Sequence, residues 1–164
     1  MDFVEITEEV LSLDKYASLA TDNSTGAVVT FSGVTRDNFQ GKKVVRLEYE
    51  AYKPMAEKKL KEICGIIRRK WNVTHIAFAH RIGVVPVGET SVVIAVSSSH
   101  RREALEATHF GIDELKAVVP IWKKEFYEDG ETWKENSEGR PRPMVKVHGE
   151  DASPPQDSAG CCIQ

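Results

Sequence analysis

Residues 90–119 read TSVVIAVSSSHRREALEATHFGIDELKAVV and combine a strand and a helix in one continuous stretch. Thr90 to Ser98 is rich in β-branched residues, which predicts a strand. From about His100 to Val119 the apolar residues recur at helical spacing, and Pro120 predicts the end of the helix because proline lacks the backbone donor. The face predicted to be buried consists of Leu105, Thr108, Ile112, Leu115 and Val119.

The flanking sequence adds further elements. A long amphipathic helix is predicted with Pro54 in its first turn, because Ala56, Leu60, Ile63, Ile67 and Trp71 recur every three or four residues. A short helix is predicted at Leu13 to Leu19, with Asp14 as its cap. Alternating or β-branched runs predict strands at Phe3–Ile6, Ala27–Gly33, Lys43–Tyr52, Val73–His80, Ile121–Tyr127 and Glu131–Lys134.

The connections contain residues that favour turns. Val34 to Lys42 lacks a period and is expected to be a mobile loop, whereas Ile82 to Gly88 predicts turns between two strands. Asp129-Gly130 predicts a hairpin. The resulting order of elements predicts an α+β fold, in which a mostly antiparallel sheet packs with two long helices and a short N-terminal helix.

Size and composition limit the domain count and the class of protein. The chain has 164 residues and a mass of 18.3 kDa, which fits one domain. We expect this domain to span residues 1–135. Residues 136–164 are rich in Pro, Gly, Ser and Asp and are expected to form a disordered tail. The net charge of −3 and the pI of about 6.0 argue against nucleic-acid binding, and the apolar runs are too short to span a membrane.

The cysteines and the N-terminal residues favour a reducing compartment. Residues 1–10 carry four acidic residues and lack the features of a secretory signal, so a cytosolic protein is expected. The three cysteines do not suggest a disulfide framework or a zinc site, and no metal is expected. Cys64 lies near the apolar face of the long helix, which favours a buried structural thiol over a nucleophile.

Cationic residues occur where predicted strands and helices end. Ser97-Ser-Ser-His-Arg101 passes from a strand into a helix, where hydroxyls, free backbone N–H groups and an arginine can hold a phosphate. The alternative is that Ser99 caps the helix while the arginines face water. Lys116 and Lys123 could carry proton transfer if the fold brings them together. The alternative for Lys123-Lys124 is a solvated strand edge. For His80 and His109 a structural role is favoured over metal ligation.

Five motifs in this order resemble a known family. They are Phe31-Ser-Gly-Val-Thr-Arg36, Tyr49-Glu-Ala-Tyr52, His80-Arg-Ile-Gly83, Ser98-Ser-His-Arg101 and Leu115-Lys116 with Val119-Pro-Ile-Trp-Lys-Lys-Glu125. The sequence from about Phe3 to Glu135 is similar to the large, catalytic subunit of molybdopterin synthase. The resemblance implies a hammerhead-like α/β fold and a sulfurtransferase with no cofactor of its own.

The reaction of that family is what the resemblance implies for this chain. Sulfur passes from the thiocarboxylated C-terminus of a small ubiquitin-like subunit to cyclic pyranopterin monophosphate, which becomes the dithiolene molybdopterin of molybdenum cofactor biosynthesis. Two large subunits form a dimer with one small subunit at each end, a heterotetramer. A non-catalytic adaptor or anion-binding module with the same fold remains the alternative. An RNA-binding domain is disfavoured by the acidic net charge.

The resemblance also assigns residues. Arg36, His100 and Arg101 match the residues that bind the substrate's anionic groups. Lys116 and Lys123 match the two active-site lysines, with Lys124 and Glu125 beside them as substrate-binding residues. We expect Lys123 to act as general acid and base, and Lys116 to position the thiocarboxylate carbonyl or the phosphate.

The C-terminal tail carries one further motif. Cys161-Cys-Ile-Gln164 fits a prenylation pattern. The surrounding residues include Asp151 and Asp157 and lack a polybasic stretch, which disfavours a stable lipid anchor.

Overall fold

The computed structural model describes residues 1–135. These residues form three helices and nine strands. The helices are α1 (Leu13–Ala20), α2 (Lys53–Lys70) and α3 (Arg101–Val118). The strands are β1 (Asp2–Thr7), β2 (Ala27–Val34), β3 (Asn38–Phe39), β4 (Lys42–Ala51), β5 (His75–Arg81), β6 (Gly83–Pro86), β7 (Thr90–Ser98), β8 (Ile121–Tyr127) and β9 (Gly130–Glu135).

The first sheet has the strand order β1-β5-β7-β2 and is covered on both faces. Because side chains alternate along a strand, β5 and β7 present small residues to one face and large ones to the other. Ala77 and Ala95 pack beneath α1 through Tyr16. Phe78 and Ile94 belong to the main core with α2 and α3. The size difference lets the short helix lie on one face while the two long helices cover the other.

The second sheet has the strand order β3-β4-β8-β9, and β6 also pairs with β4. The pairing of β4 with β8 places Tyr49 opposite Lys123 and Leu47 opposite Glu125. Strand β8 turns back into β9 through Glu128-Asp129, and Gly130 has a φ of 144°, a conformation that favours glycine. This sheet forms one side of the region where the functional residues lie.

The predicted α+β class, the mostly antiparallel pairing and both long helices are confirmed, but four local predictions were wrong. The described strands form two sheets, in which the pairing of β1 with β5 is parallel and the other pairings are antiparallel. The expected loop at residues 34–42 contains β3, which pairs with β4. The expected turns at residues 82–88 contain β6. Helix α1 is capped by Ser12, whose hydroxyl accepts the Lys15 N–H, and not by Asp14.

The fourth correction concerns the buried face of α3. Leu105 is exposed, whereas Ala104 and Ala107 are fully buried. Helix α3 approaches the first sheet so closely that a Cβ on Gly111 would lie 3.0 Å from the ring of Phe78. Small residues therefore form the contact surface, and a pattern based on large apolar residues misses them.

Predictions about residues 136–164, including the disordered tail and the Cys161–Gln164 motif, lie outside the described residues.

A pair of Leu→Ala substitutions tests the packing of α2. Leu60 is fully buried in the main core, whereas Leu13 at the start of α1 is 41% exposed. We expect Leu60→Ala to lower the free energy of unfolding by about 2–5 kcal/mol, because it leaves a cavity. Leu13→Ala should change it by about 0.5 kcal/mol or less. Urea denaturation measures both, and equal effects would contradict this assignment of the core.

Candidate active site

A cavity of about 130 Å³ lies between the two sheets and the C-terminal part of α3. Strands β2, β4, β5, β7 and β8 all contribute side chains to its lining. Apolar and aromatic residues such as Phe31, Leu47 and Tyr49 form part of the wall. The polar part includes Arg36, His80, Lys116, Lys123 and Glu125. A concave site with an apolar wall and a few polar groups is the usual form of a small-molecule site.

Lys123 and Glu125 reach the cavity because β8 alternates its side chains. The Lys123 ammonium nitrogen lies 3.2 Å from a carboxylate oxygen of Glu125. The side chain of Glu125 is only 3% exposed, and that of Lys123 is 17% exposed. The Tyr127 hydroxyl donates a hydrogen bond to the other carboxylate oxygen. The cavity therefore contains a shielded lysine whose position is fixed by a buried carboxylate.

Lys116 reaches the same cavity from the last turn of α3. Helix α3 ends at Val118, and the chain passes through Pro120 into β8. The reversal of direction places Lys116 and Lys123 in one lining, although proline prevents a continuous helix between them. The fold thus brings Lys116 and Lys123 to one cavity, which their spacing in the sequence could not establish.

Arg36 lines the cavity just beyond the end of β2 and is exposed. Its guanidinium lies 5.9 Å from the ring centre of Phe39. The preceding residue is anchored by two backbone hydrogen bonds: Thr35 N–H donates to the Glu89 carbonyl, and Gly88 N–H donates to the Thr35 carbonyl. The backbone next to Arg36 is therefore held in place, and the exposed guanidinium can bind an anionic ligand.

His100 and Arg101 lie elsewhere in the chain. They line a separate depression of about 470 Å³ at the start of α3, next to Gly26. His100 is the N-cap residue and makes no side-chain capping bond. The alternative that Ser99 caps the helix is wrong. The hydroxyl beside the helix start is that of Ser98, which accepts the His100 N–H and donates to the Asn72 carbonyl.

Lys124 lies on the opposite face of β8 from Lys123. Its ammonium nitrogen is 2.8 Å from a carboxylate oxygen of Glu131 and 5.0 Å from the ring centre of Phe126. Of the adjacent pair Lys124 and Glu125, only Glu125 lines the cavity.

His80 is a cavity residue that the sequence analysis treated as structural. It lies at the end of β5, is 2% exposed, and lines the cavity beside Tyr49, whose ring packs edge-on at 5.0 Å. Its Nδ1 lies 2.7 Å from the Arg81 carbonyl oxygen. Burial lowers its pKa to about 4. The available signal was its place in the His80-Arg-Ile-Gly83 motif, but a single histidine in a strand gives no indication of a cavity.

Residues 1–135 offer neither a metal site nor a membrane-spanning helix. No group of three or more His, Cys, Asp or Glu residues in this range could hold a metal ion. No helix in this range is both long and apolar enough to cross a membrane. Cys64 is buried, and burial raises the pKa of its thiol to about 12, as expected for a structural cysteine.

Comparison with known proteins identifies the family. The family model described as MoaE protein matches residues 6–118. The human molybdopterin synthase catalytic subunit is 56% identical over 137 residues, which cover 84% of this chain and 73% of the human protein. The chain belongs to this family. The resemblance inferred from the five motifs is therefore confirmed.

Solved structures agree with this family assignment. The crystal structure of molybdopterin synthase from Staphylococcus aureus has a TM-score of 0.76 and 44% identity, over 79% of this chain and 94% of that chain. A complex of subunits 1 and 2 of the molybdopterin-converting factor from Helicobacter pylori shares the fold, with a TM-score of 0.68 and 20% identity. It covers 89% of this chain and 99% of that chain. The fold of this family member is thus found in related solved proteins.

The depressed pKa of His80 predicts a loss of stability in acid. In the native state its pKa is about 4, below the ordinary value of 6.5, so the unfolded chain binds the proton more readily. The free energy of unfolding should therefore fall by up to about 3 kcal/mol on this account as pH decreases from 6.5 to 4. Denaturant titrations at several pH values should show a shallower fall in His80→Asn.

His109→Asn is the matched control, because the side chain of His109 is 80% exposed on α3. It should keep the pH dependence of the wild type. If His80→Asn and wild type lose stability in parallel between pH 6.5 and 4, His80 is not the group responsible.

Proposed function

We propose that the cavity is the site where sulfur is transferred to cyclic pyranopterin monophosphate to form molybdopterin. The observation that carries this proposal is that Arg36, Lys116 and Lys123 line one cavity in a chain of net charge −3. The substrate is an anionic pterin, and an acidic protein that collects cations in one recess is suited to bind it. The buried carboxylate of Glu125 keeps one of these cations in a defined position.

The lysines have separate roles in this proposal. Lys123 is the general acid and base, because it is the shielded member of an ion pair with a buried partner. Lys116 positions the thiocarboxylate carbonyl or the substrate phosphate from the opposite element, α3. Glu125 positions Lys123 and binds substrate. Lys124 is the weakest member of the proposed substrate-binding set, since its side chain is directed to the other face of β8.

The sulfur donor is proposed to be a small ubiquitin-like subunit with a thiocarboxylated C-terminus. The Helicobacter pylori complex contains subunits 1 and 2 of the molybdopterin-converting factor and has the same fold in its related chain, which supports a small-subunit partner. We place the assembly in the cytosol, in keeping with the sequence analysis.

A second copy of this chain completes the proposed site. His100 and Arg101 lie near the start of β2, because Gly26 N–H donates to the Ser98 carbonyl beside them. Among the described strands β2 is at the edge of its sheet. If two copies pair antiparallel through β2, the Ala27 end of one lies beside the Val34 end of the other. His100 and Arg101 of one copy would then approach Arg36 of its partner.

Reconstitution tests the activity directly. The purified chain is mixed with a thiocarboxylated ubiquitin-like subunit and cyclic pyranopterin monophosphate, and molybdopterin is detected as its fluorescent oxidation product. We expect product from the wild type. Binding of the small subunit without product would favour the non-catalytic adaptor.

Substitutions of the two lysines should abolish turnover without unfolding the chain. Lys123→Ala removes the proposed acid and base and should lower kcat by about 10²–10⁴-fold. Lys116→Ala should also reduce turnover strongly. Lys59→Ala, on the surface of α2 and paired only with Glu62 in the described chain, is the matched control and should retain the wild-type rate. A near-normal rate in either active-site variant would remove that lysine from the mechanism.

Mixing two inactive variants tests whether the site is shared between copies. Lys123→Ala damages the cavity, and Arg101→Ala damages the separate depression. In a mixed dimer, one of the two sites combines an intact cavity with an intact Arg101. Random mixing makes about half of the dimers mixed, so about a quarter of the wild-type rate should be restored. Each variant alone should remain inactive. If mixing restores nothing although dimers exchange, Arg101 does not serve the partner's cavity.

A further inference from the structure

We propose that His80 is a substrate-binding residue whose unprotonated Nε2 accepts a hydrogen bond from an N–H group of the pterin. This inference rests on the proposed function, because it assigns one more contact to the same cavity. The proposed contact is with the pterin ring of the substrate, whereas Arg36, Lys116 and Lys123 are proposed to bind its anionic groups.

The tautomer of His80 follows from its one hydrogen bond. A carbonyl oxygen can only accept, so the 2.7 Å contact with the Arg81 carbonyl requires a proton on Nδ1. Burial lowers the pKa of the ring to about 4, and the ring is therefore neutral near pH 7. In a neutral imidazole with a proton on Nδ1, Nε2 carries a lone pair and is an acceptor.

The one hydrogen bond that the structure describes for the His80 ring is made by Nδ1 and not by Nε2. The ring also packs edge-on against Tyr49. The side chain is nearly fully buried, yet it lines the cavity. Nε2 is not one of the fully enclosed unpaired side-chain atoms of the described residues, and an acceptor on a cavity wall can be paired by a ligand that supplies the donor.

The composition of the cavity wall also favours this role. Arg36, Lys116 and Lys123 can only donate hydrogen bonds when they are charged. The carboxylate of Glu125 already receives Lys123 and Tyr127. The pterin ring carries ring N–H and amino groups, which need acceptors. His80 supplies a neutral acceptor beside these three cations. Asn38 and Ser91 also line the cavity, but Asn38 Oδ1 already accepts the Gly41 N–H and the Ser91 hydroxyl donates to the Gly33 carbonyl.

Two substitutions at His80 separate binding from structure. In His80→Asn the amide can replace Nδ1 and keep the bond to Arg81, but nothing replaces Nε2. In His80→Gln the amide oxygen can replace Nε2, while the bond to Arg81 is lost. We expect His80→Asn to weaken binding of cyclic pyranopterin monophosphate about tenfold, as for one lost hydrogen bond. His80→Gln should bind within about threefold of the wild type, although it is the less stable variant.

Calorimetric titration of the full chain measures binding, and denaturation at the same pH measures stability. A purely structural histidine would give the reverse order of binding, with His80→Asn close to wild type and His80→Gln impaired, and that result would overturn the inference. If neither variant folds, the Nε2 chemical shift of ¹⁵N-labelled wild type decides: it should move when the pterin is added, and an unchanged shift would overturn the inference. If the wild type itself does not bind the pterin, the proposed function fails and not merely the role of His80.

Discussion

The register between β4 and β8 is the constraint on which the candidate site depends. It places Tyr49 opposite Lys123 and Leu47 opposite Glu125, so that all four side chains line one cavity. A slip of one residue would turn Lys123 and Glu125 to the other face of the sheet. The buried side chains of Ile121, Glu125 and Tyr127, at alternate positions of β8, oppose such a slip. The pairing of β4 with β8 thus contributes to the stability of the fold and also places the candidate catalytic groups.

The cavity combines groups that are costly to bury. A carboxylate as shielded as Glu125 is tolerated only when charge and hydrogen bonds compensate it. Lys123 supplies the charge, and the Tyr127 hydroxyl supplies a hydrogen bond. The ion pair holds the Lys123 ammonium in a defined position. The buried Glu125 carboxylate therefore contributes more clearly to the position of Lys123 than to the stability of the fold. His80 adds a ring nitrogen, Nε2, for which the described residues provide no hydrogen bond, and a ligand in the cavity can complete its interactions.

Local patterns predicted the elements that are long and periodic. The limits of β7 were predicted correctly, and those of α2 and α3 to within one or two residues, because each of these elements buries one side at a regular spacing. Strands β3 and β6 were missed because they are only two and four residues long. Their partner in each case is β4, and for β6 that partner is remote in the sequence. Leu105 was misplaced because α3 packs against the sheet through Ala104 and Ala107, where close approach favours small side chains.

The α+β class, the family, and the residues that carry charge or a titratable ring follow from the amino-acid sequence alone. It takes the folded arrangement to show that five of these residues share one cavity, while His100 and Arg101 lie beside another depression and Lys124 is on the opposite face of β8; the five are Arg36, His80, Lys116, Lys123 and Glu125. The physical reason is that secondary structure follows from the spacing of neighbouring residues, whereas a site follows from pairings between strands far apart in the chain. For Lys123 and Glu125, the register of β4 and β8 decides which neighbours their side chains meet, and no local pattern encodes that register.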